Sequence, residues 1–350
     1  MKKILTVLLA LTLLLSLVAC GGSPTSTTKA PATTTAAPTE AATTVAPTEA
    51  VRAGDINGDG KFIVGYISKN TTDTFHGPIN AHAETVLNQL KADGVIDDWT
   101  GILDGLTDPG KQNDLADDCL TKGCDAVIIL PAEAEGSAPA VEVLAKAGVA
   151  VVVVNSKTVN TDELAVAYCG SDDVYAGTLL AQHVIDNVPD GGKYIHIQGV
   201  LGNSAQIQRG EGMHSIMDAN DKFEMVEEMT GNWSSSEAQN IAQDALNKYG
   251  DELVAIICDN DDMSSGAQDV VNSAGREDIV CIGVDGNNYP LSMVKDGKML
   301  ATVLQDGVGQ IQAGIDVVVA IANGKTFEFD QDVPFVLVTK DNVDEYYTGE

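Results

Sequence analysis

Positive charge is what this 350-residue chain most lacks: 20 Lys and Arg stand against 51 Asp and Glu, a formal net charge of −31. The few cations form no stripe, which excludes nucleic acid and anionic lipid headgroups as partners and leaves the acidity as a solvated surface. Metal and nucleotide signatures are missing as well. His76, His82, His183, His196 and His214 show no metal or triad spacing, no Cys/His pattern suits zinc, and no phosphate-cradling glycine loop is present. Cysteine is too sparse and irregular for a disulfide framework. With Cys20 set aside, Cys119, Cys124, Cys169, Cys258 and Cys281 remain, an odd number. Cys119 and Cys124 are a candidate pair, whereas Cys258 and Cys281 sit inside apolar runs, where cysteine behaves as a small hydrophobe.

Lys2 and Lys3 precede an almost wholly apolar run over 4–18, too short for a spanning helix, that closes on Leu17-Val18-Ala19-Cys20-Gly21. This reads as a signal peptide over 1–19. Its end resembles the bacterial lipobox, in which Cys20 becomes the lipidated first residue of the mature chain. Each buried methylene contributes about 0.8 kcal/mol, so two or more acyl chains hold a protein at a membrane. Thr, Ala and Pro dominate the segment beyond Cys20, with too little apolar surface to offset chain entropy. Residues 20–60 are therefore expected to form a disordered tether with a coil dimension of roughly 30 Å.

From residue 61 onward, apolar runs bounded by turn residues alternate with amphipathic segments, the mark of parallel sheets flanked by helices. Phe62–Ile67, Ala126–Leu130 and Val149–Val154 are continuous runs, so both faces of each strand should be covered. Asp114–Lys122 and Ala138–Lys146 carry helical periodicity, with Gly123 and Gly148 where a helix stops. Lys193–Gly199, Leu253–Cys258 and Ile279–Val284 repeat the plan. The pattern predicts an α/β chain of two Rossmann-like lobes with a cleft between them.

Ligands of open parallel sheets bind beyond the carboxyl ends of the strands. At those ends stand Asp73, Phe75, Asn155, Arg209, Asn260 and Asp285. Carboxylates accept from hydroxyls, amides do both, and Arg donates in a planar fork, so this is a hydroxyl-binding set. Phe75 and Trp233 offer flat apolar faces for the C–H side of a sugar ring. Taken singly, each has a plainer reading: post-strand Asp and Asn often cap helices, and a lone Trp is often core. Their equivalent placement in both halves carries the argument.

Several stretches resemble the type I periplasmic sugar-binding proteins, near the glucose/galactose- and ribose-binding branches. They are Gly110-Lys111-Gln112-Asn113-Asp114, Gly202-Asn203-Ser204-Ala205 through Arg209-Gly210-Glu211-Gly212, Asp259-Asn260-Asp261-Asp262-Met263 and Gly283-Val284-Asp285-Gly286. The resemblance spans about 61–345 and implies a ligand set of Asp73, Phe75, Asn155, Arg209, Trp233, Asn260, Asp285 and Gln305, with Thr74, Ser156 and Asn203 as further candidate contacts. Asn203 and Ala205 stand where the hexose branch has a histidine and an aspartate, and Asn155-Ser156 where the ribose branch has Asp-Arg, so the pattern mixes the two. A three-segment hinge near 169, 304 and 333 is implied, dividing the chain into 61–168 plus 304–332 and 169–303 plus 333–350. The implied function is that of an extracytoplasmic, membrane-anchored monomer that closes on a monosaccharide and delivers it to the permease of an ABC importer. A kinase-linked sensor, a binder of autoinducer-2 or a nucleoside, and a hydrolase using Asp73 and Asp285 across the cleft are the alternatives. Trp233→Ala or Arg209→Ala is expected to abolish binding and leave the fold intact.

No cofactor is expected, with one candidate exception. Asp55, Asn57 and Asp59 place oxygens at alternate positions before Gly60, like the first half of a calcium loop. The twelfth position is Tyr66 instead of a bidentate Glu, so a polar turn is the plainer reading.

Overall fold

The computed structural model describes residues 52–349; the expected leader, Cys20 and the tether up to residue 51 lie outside the described residues. The first sheet is built from Ile63–Ser68 (β1), Asp98–Asp104 (β2), Ala126–Ile129 (β3), Ala150–Asn155 (β4) and Ala167–Gly170 (β5). The helices between them are His76–Ala92 (α1), Pro109–Thr121 (α2), Ala138–Lys146 (α3) and the short Thr161–Leu164 (α4). Val151 to Val154 are wholly buried, as a strand covered on both faces must be. α1 packs on one face, against Tyr66, Ile128 and Val152, and α2 and α3 on the other, against Ile67, Ile129 and Val153. α2 starts earlier than periodicity alone indicates. Asp108 caps it by accepting from Gly110 N and Lys111 N, and Pro109 occupies the first turn, where a missing N–H costs nothing.

The second lobe repeats the scheme with Asp173–Asn187 (α5), Gly192–Gln198 (β6), Ser204–Met217 (α6), Phe223–Thr230 (β7), Ser235–Tyr249 (α7), Leu253–Cys258 (β8), Asp261–Ser273 (α8) and Val280–Ile282 (β9). The sheet order is β7-β6-β8-β9, all parallel, with α5 and α6 on one face and α7 and α8 on the other. The expected run Ile279–Val284 breaks at Gly283, and Val284–Asp285 (β10) joins a separate sheet. A Cβ at Gly283 would stand 2.4 Å from the Asn260 carbonyl oxygen, so the break lets the start of α8 approach.

Asn288–Asp296 (α9) leads to Ala301–Leu304 (β11), Gly307–Ala322 (α10), Asp330–Asp332 (β12) and Val336–Thr339 (β13). α10 packs on the first sheet, and β12 pairs with β5, giving the order β12-β5-β4-β3-β1-β2. The third sheet is β10-β11-β13, in which β13 runs antiparallel to β11. The chain thus passes between lobes after Gly170, after Leu304 and after Asp332. Among the described residues all five cysteines are free and buried, so Cys119 and Cys124 are separate thiols. Asp55, Asn57 and Asp59 form a polar turn in which their own oxygens accept from the N–H groups of Gly58, Gly60, Asp59 and Lys61. Asp125 anchors the turn by accepting from Ile56 and Ile63.

Candidate functional site

The loop after β1 is held by its own side chains. Asn70 Oδ1 accepts from Thr72 N and Asp73 N, and its Nδ2 donates to Asp73 Oδ2 at 2.6 Å. Asp73 also accepts from His76 N, and the His76 ring nitrogen Nδ1 lies 2.9 Å from its carboxylate. Burial raises the Asp73 carboxyl, but His76 and Asn70 more than offset it and hold it well below the usual carboxylate range. Burial pulls His76 down despite Asp73, so its ring is neutral at neutral pH and donates from Nδ1.

At the end of β4, Asn155 takes a left-handed φ of 69°, and Trp233 and Asp285 sit at φ 63° and 149°. Non-glycine residues in such conformations cost of order 1–3 kcal/mol each, and this strain converges on one place. Asn155 Nδ2 donates to Gln310 Oε1 at 3.0 Å, and Gln310 Nε2 donates to Ser171 Oγ, which bonds the Val333 carbonyl. Tyr168 OH donates to the Asn155 carbonyl. The Asn155 amide is therefore wired to two of the three crossings between lobes.

On the second lobe, Arg209 is buried on α6. Its Nε donates to Asp173 at 2.8 Å, Nη1 to the Asp259 carbonyl and Nη2 to Gln305 Oε1. Burial opposes its charge, and Asp173 and Asp285 more than offset that, so it stays a cation. Asp285 is pushed well above the ordinary carboxylate range by burial and then by Asp261, with Arg209 pulling the other way. Asn260 caps α8 by accepting from Met263 N, which leaves its Nδ2 for the cleft. Asp261 fixes the Asp285 turn: its carboxylate accepts from Gly286 N, Asn287 N and Thr302 Oγ1.

All eleven residues expected at the site line one cavity between the lobes, with Lys69, His76, Ala205 and Asp262 added. His76 Nε2, Trp233 Nε1 and Gln305 Nε2 are buried there without a protein partner. Two of the eleven residues also join the rims. Thr74 Oγ1 donates to Asp262 across the cleft and accepts from Asn287 Nδ2. Asn203 caps α6 through Oδ1 and donates to the Ala132 carbonyl and Ser156 Oγ through Nδ2. Lys157 N also donates to Ser204 Oγ, so the two rims are joined.

A model of the periplasmic binding protein domain matches residues 64–326. The chain belongs to this family. As a type I periplasmic binding protein it binds solutes outside the cytoplasm and is not an enzyme, which removes the hydrolase reading. It is 30% identical to a putative rhizopine-binding protein of Rhizobium meliloti over 82% of this chain and 98% of that one. It is 31% identical to a xylitol-binding protein of Mycolicibacterium smegmatis over 68% and 67%. An ABC transporter solute-binding protein of Bacillus halodurans, solved with bound myo-inositol, superposes with a TM-score of 0.75 at 28% identity, covering 82% of this chain and 97% of that one.

Sequence reading missed Lys69, Asp173 and Gln310. Lys69 is buried, with Nζ 5.2 Å from the Trp233 ring centroid, and burial lowers its pKa while Asp73 partly restores it. Its place directly after β1 is the only signal it gave. Asp173 opens α5 and Gln310 lies within α10, places that carry no signal of a buried partner.

Proposed function

We propose that this binding protein captures one monosaccharide or similarly sized cyclic polyol by hinge closure and hands it to the permease of an ABC importer. The observation that carries the reading is the set of three buried nitrogens without protein partners, beside two aromatic rings, in a cavity reached from both lobes. A buried polar nitrogen left unpaired costs about 1–3 kcal/mol, which a ligand hydroxyl, donating to His76 Nε2 or accepting from the other two, would recover. A guest shifts an open–closed equilibrium only by touching both halves, and Asp73, Phe75 and Asn155 come from one lobe, Arg209, Trp233, Asn260 and Asp285 from the other. Relatives that bind xylitol or ribose, and a like structure holding myo-inositol, support a polyhydroxy ligand.

A thermal-shift panel of aldoses, xylitol and myo-inositol tests this. Ligand at a hundred times its dissociation constant adds about 2.7 kcal/mol to stability. A rise with one or a few members is expected; a flat panel overturns the reading. The reading also makes residues 1–19 a cleaved leader and Cys20 a lipid anchor, with a monomer on a tether. Cys20→Ala should then move the protein from the membrane fraction to the soluble one.

A further inference from the structure

Away from the cleft, three elements bring together a histidine pair and a carboxylate that the ligand site does not use. His196 on β6 and Glu228 on β7 are register partners in the parallel ladder, and α6 lays His214 over them. His196 Nδ1 and His214 Nε2 both lie 2.9 Å from the same oxygen, Glu228 Oε1. The three ligand atoms fall within 4.8 Å of one another. His196 is sealed from solvent, whereas the side chains of His214 and Glu228 are 30% and 32% exposed, which opens a path for an ion.

We propose that His196, His214 and Glu228 form a binding site for a divalent transition-metal cation of the zinc type.

The outer nitrogens argue for it. His196 Nε2 is 2.9 Å from Asp259 Oδ1, and His214 Nδ1 is 3.3 Å from Asp218 Oδ1. Ligating histidines generally donate their second N–H to a carboxylate in this way, which fixes the tautomer and aims the other lone pair inward. Both inward nitrogens face one carboxylate oxygen, where each is held by an N–H···O hydrogen bond while it carries a proton, and a divalent cation would take the place of those protons. Two imidazoles and one carboxylate with a water in the fourth position suit Zn²⁺ or Co²⁺, and not Mg²⁺ or Ca²⁺, which require oxygen ligands. At metal–ligand distances near 2.1 Å a tetrahedral site places ligand atoms about 3.4 Å apart, so the two 2.9 Å nitrogen–oxygen separations have to open by about 0.5 Å.

The other histidines make poor rivals. His82 is paired with Gln312, the His183 ring lies against Asn187 Nδ2 at 3.3 Å, and His76 lines the cleft. The test is Co²⁺ titration of the EDTA-treated full chain, read by visible d–d absorption and displaced by Zn²⁺. One equivalent of Co²⁺ should give a tetrahedral-type spectrum. His214→Gln and Glu228→Gln should each weaken binding about tenfold or more, while His183→Gln leaves it unchanged. X-ray absorption of the wild-type zinc complex should show two imidazole nitrogens in the first coordination sphere, a readout that needs no variant to fold. Absence of the spectrum, displacement by Mg²⁺ as readily as by Zn²⁺, or indifference to both substitutions overturns the assignment.

Discussion

The Trp233 ring covers the bare Cα of Gly199: a Cβ there would stand 2.0 Å from ring carbon Cη2. A left-handed backbone at Asn232 and Trp233 brings the ring to that spot, and Asp259 fixes Gly199 by accepting its N–H at 2.8 Å. Gly199→Ala should therefore displace the ring with no change to a ligand-contacting side chain. An aromatic contact is worth about 0.5–1.5 kcal/mol, so affinity for the panel's best ligand should fall about two- to tenfold. Calorimetric titration checks this, and a shift in tryptophan emission should accompany it.

Arg209→Ala should do more than remove a contact. The sequence alone suggests an intact fold, yet Arg209 neutralises the buried Asp173 and holds Gln305 and the Asp259 carbonyl. Leaving a buried carboxylate unpaired costs about 3–5 kcal/mol, so the unliganded variant should melt well below wild type in urea. Trp233→Ala, by contrast, should lose ligand response with the apo fold preserved.

Gln310→Leu should weaken ligand binding from outside the cavity. It leaves Asn155 Nδ2 without its partner, at about 1–3 kcal/mol, and takes the Gln310 donor from Ser171 Oγ, which keeps its bond to the Val333 carbonyl. Loss of both stability and affinity is expected in paired melting and titration experiments. Unchanged affinity would mean that Asn155 holds its pose unaided.

Asp73 and Asp261 should give pH dependences of opposite sign. Asp73 is held below its unfolded value of 3.8, so its contribution is complete above that value and lost as pH falls through it. The deficit of Asp73→Asn against wild type should shrink from pH 5 to pH 2. Asp261 is raised to about 6, by burial first, with Thr302, Asn287 and Gly286 pulling it back. The native state then holds a proton that the unfolded state has released between about pH 4 and 6. Wild-type stability relative to Asp261→Asn should therefore fall as pH rises through that interval. Urea melts across pH check both slopes.

How much of the fold was legible in the sequence depends on what each element buries. The run Val151–Val154 announced β4 because both its faces are covered. β2 and β7 gave no such run: each is an edge strand, and β7 mixes Glu224, Glu227 and Glu228 with its apolar residues. The residues that line the cleft were readable because those side chains come just after strands, where open parallel sheets place their sites. Gln310 was not, since its partner Asn155 lies 155 positions away and only the packing of α10 on the first sheet joins them. The cluster of His196, His214 and Glu228 escaped for the same reason: its spacing is set by strand register and a helix crossing.

The central claim is that side chains of both lobes hold one polyhydroxy guest. Its most direct test is calorimetric titration of the best ligand from the panel into wild type, Asn155→Ala and Trp233→Ala, one variant from each lobe. A single site in wild type, with affinity lost about tenfold or more in both variants, is the predicted result. Full affinity retained in either variant would contradict it.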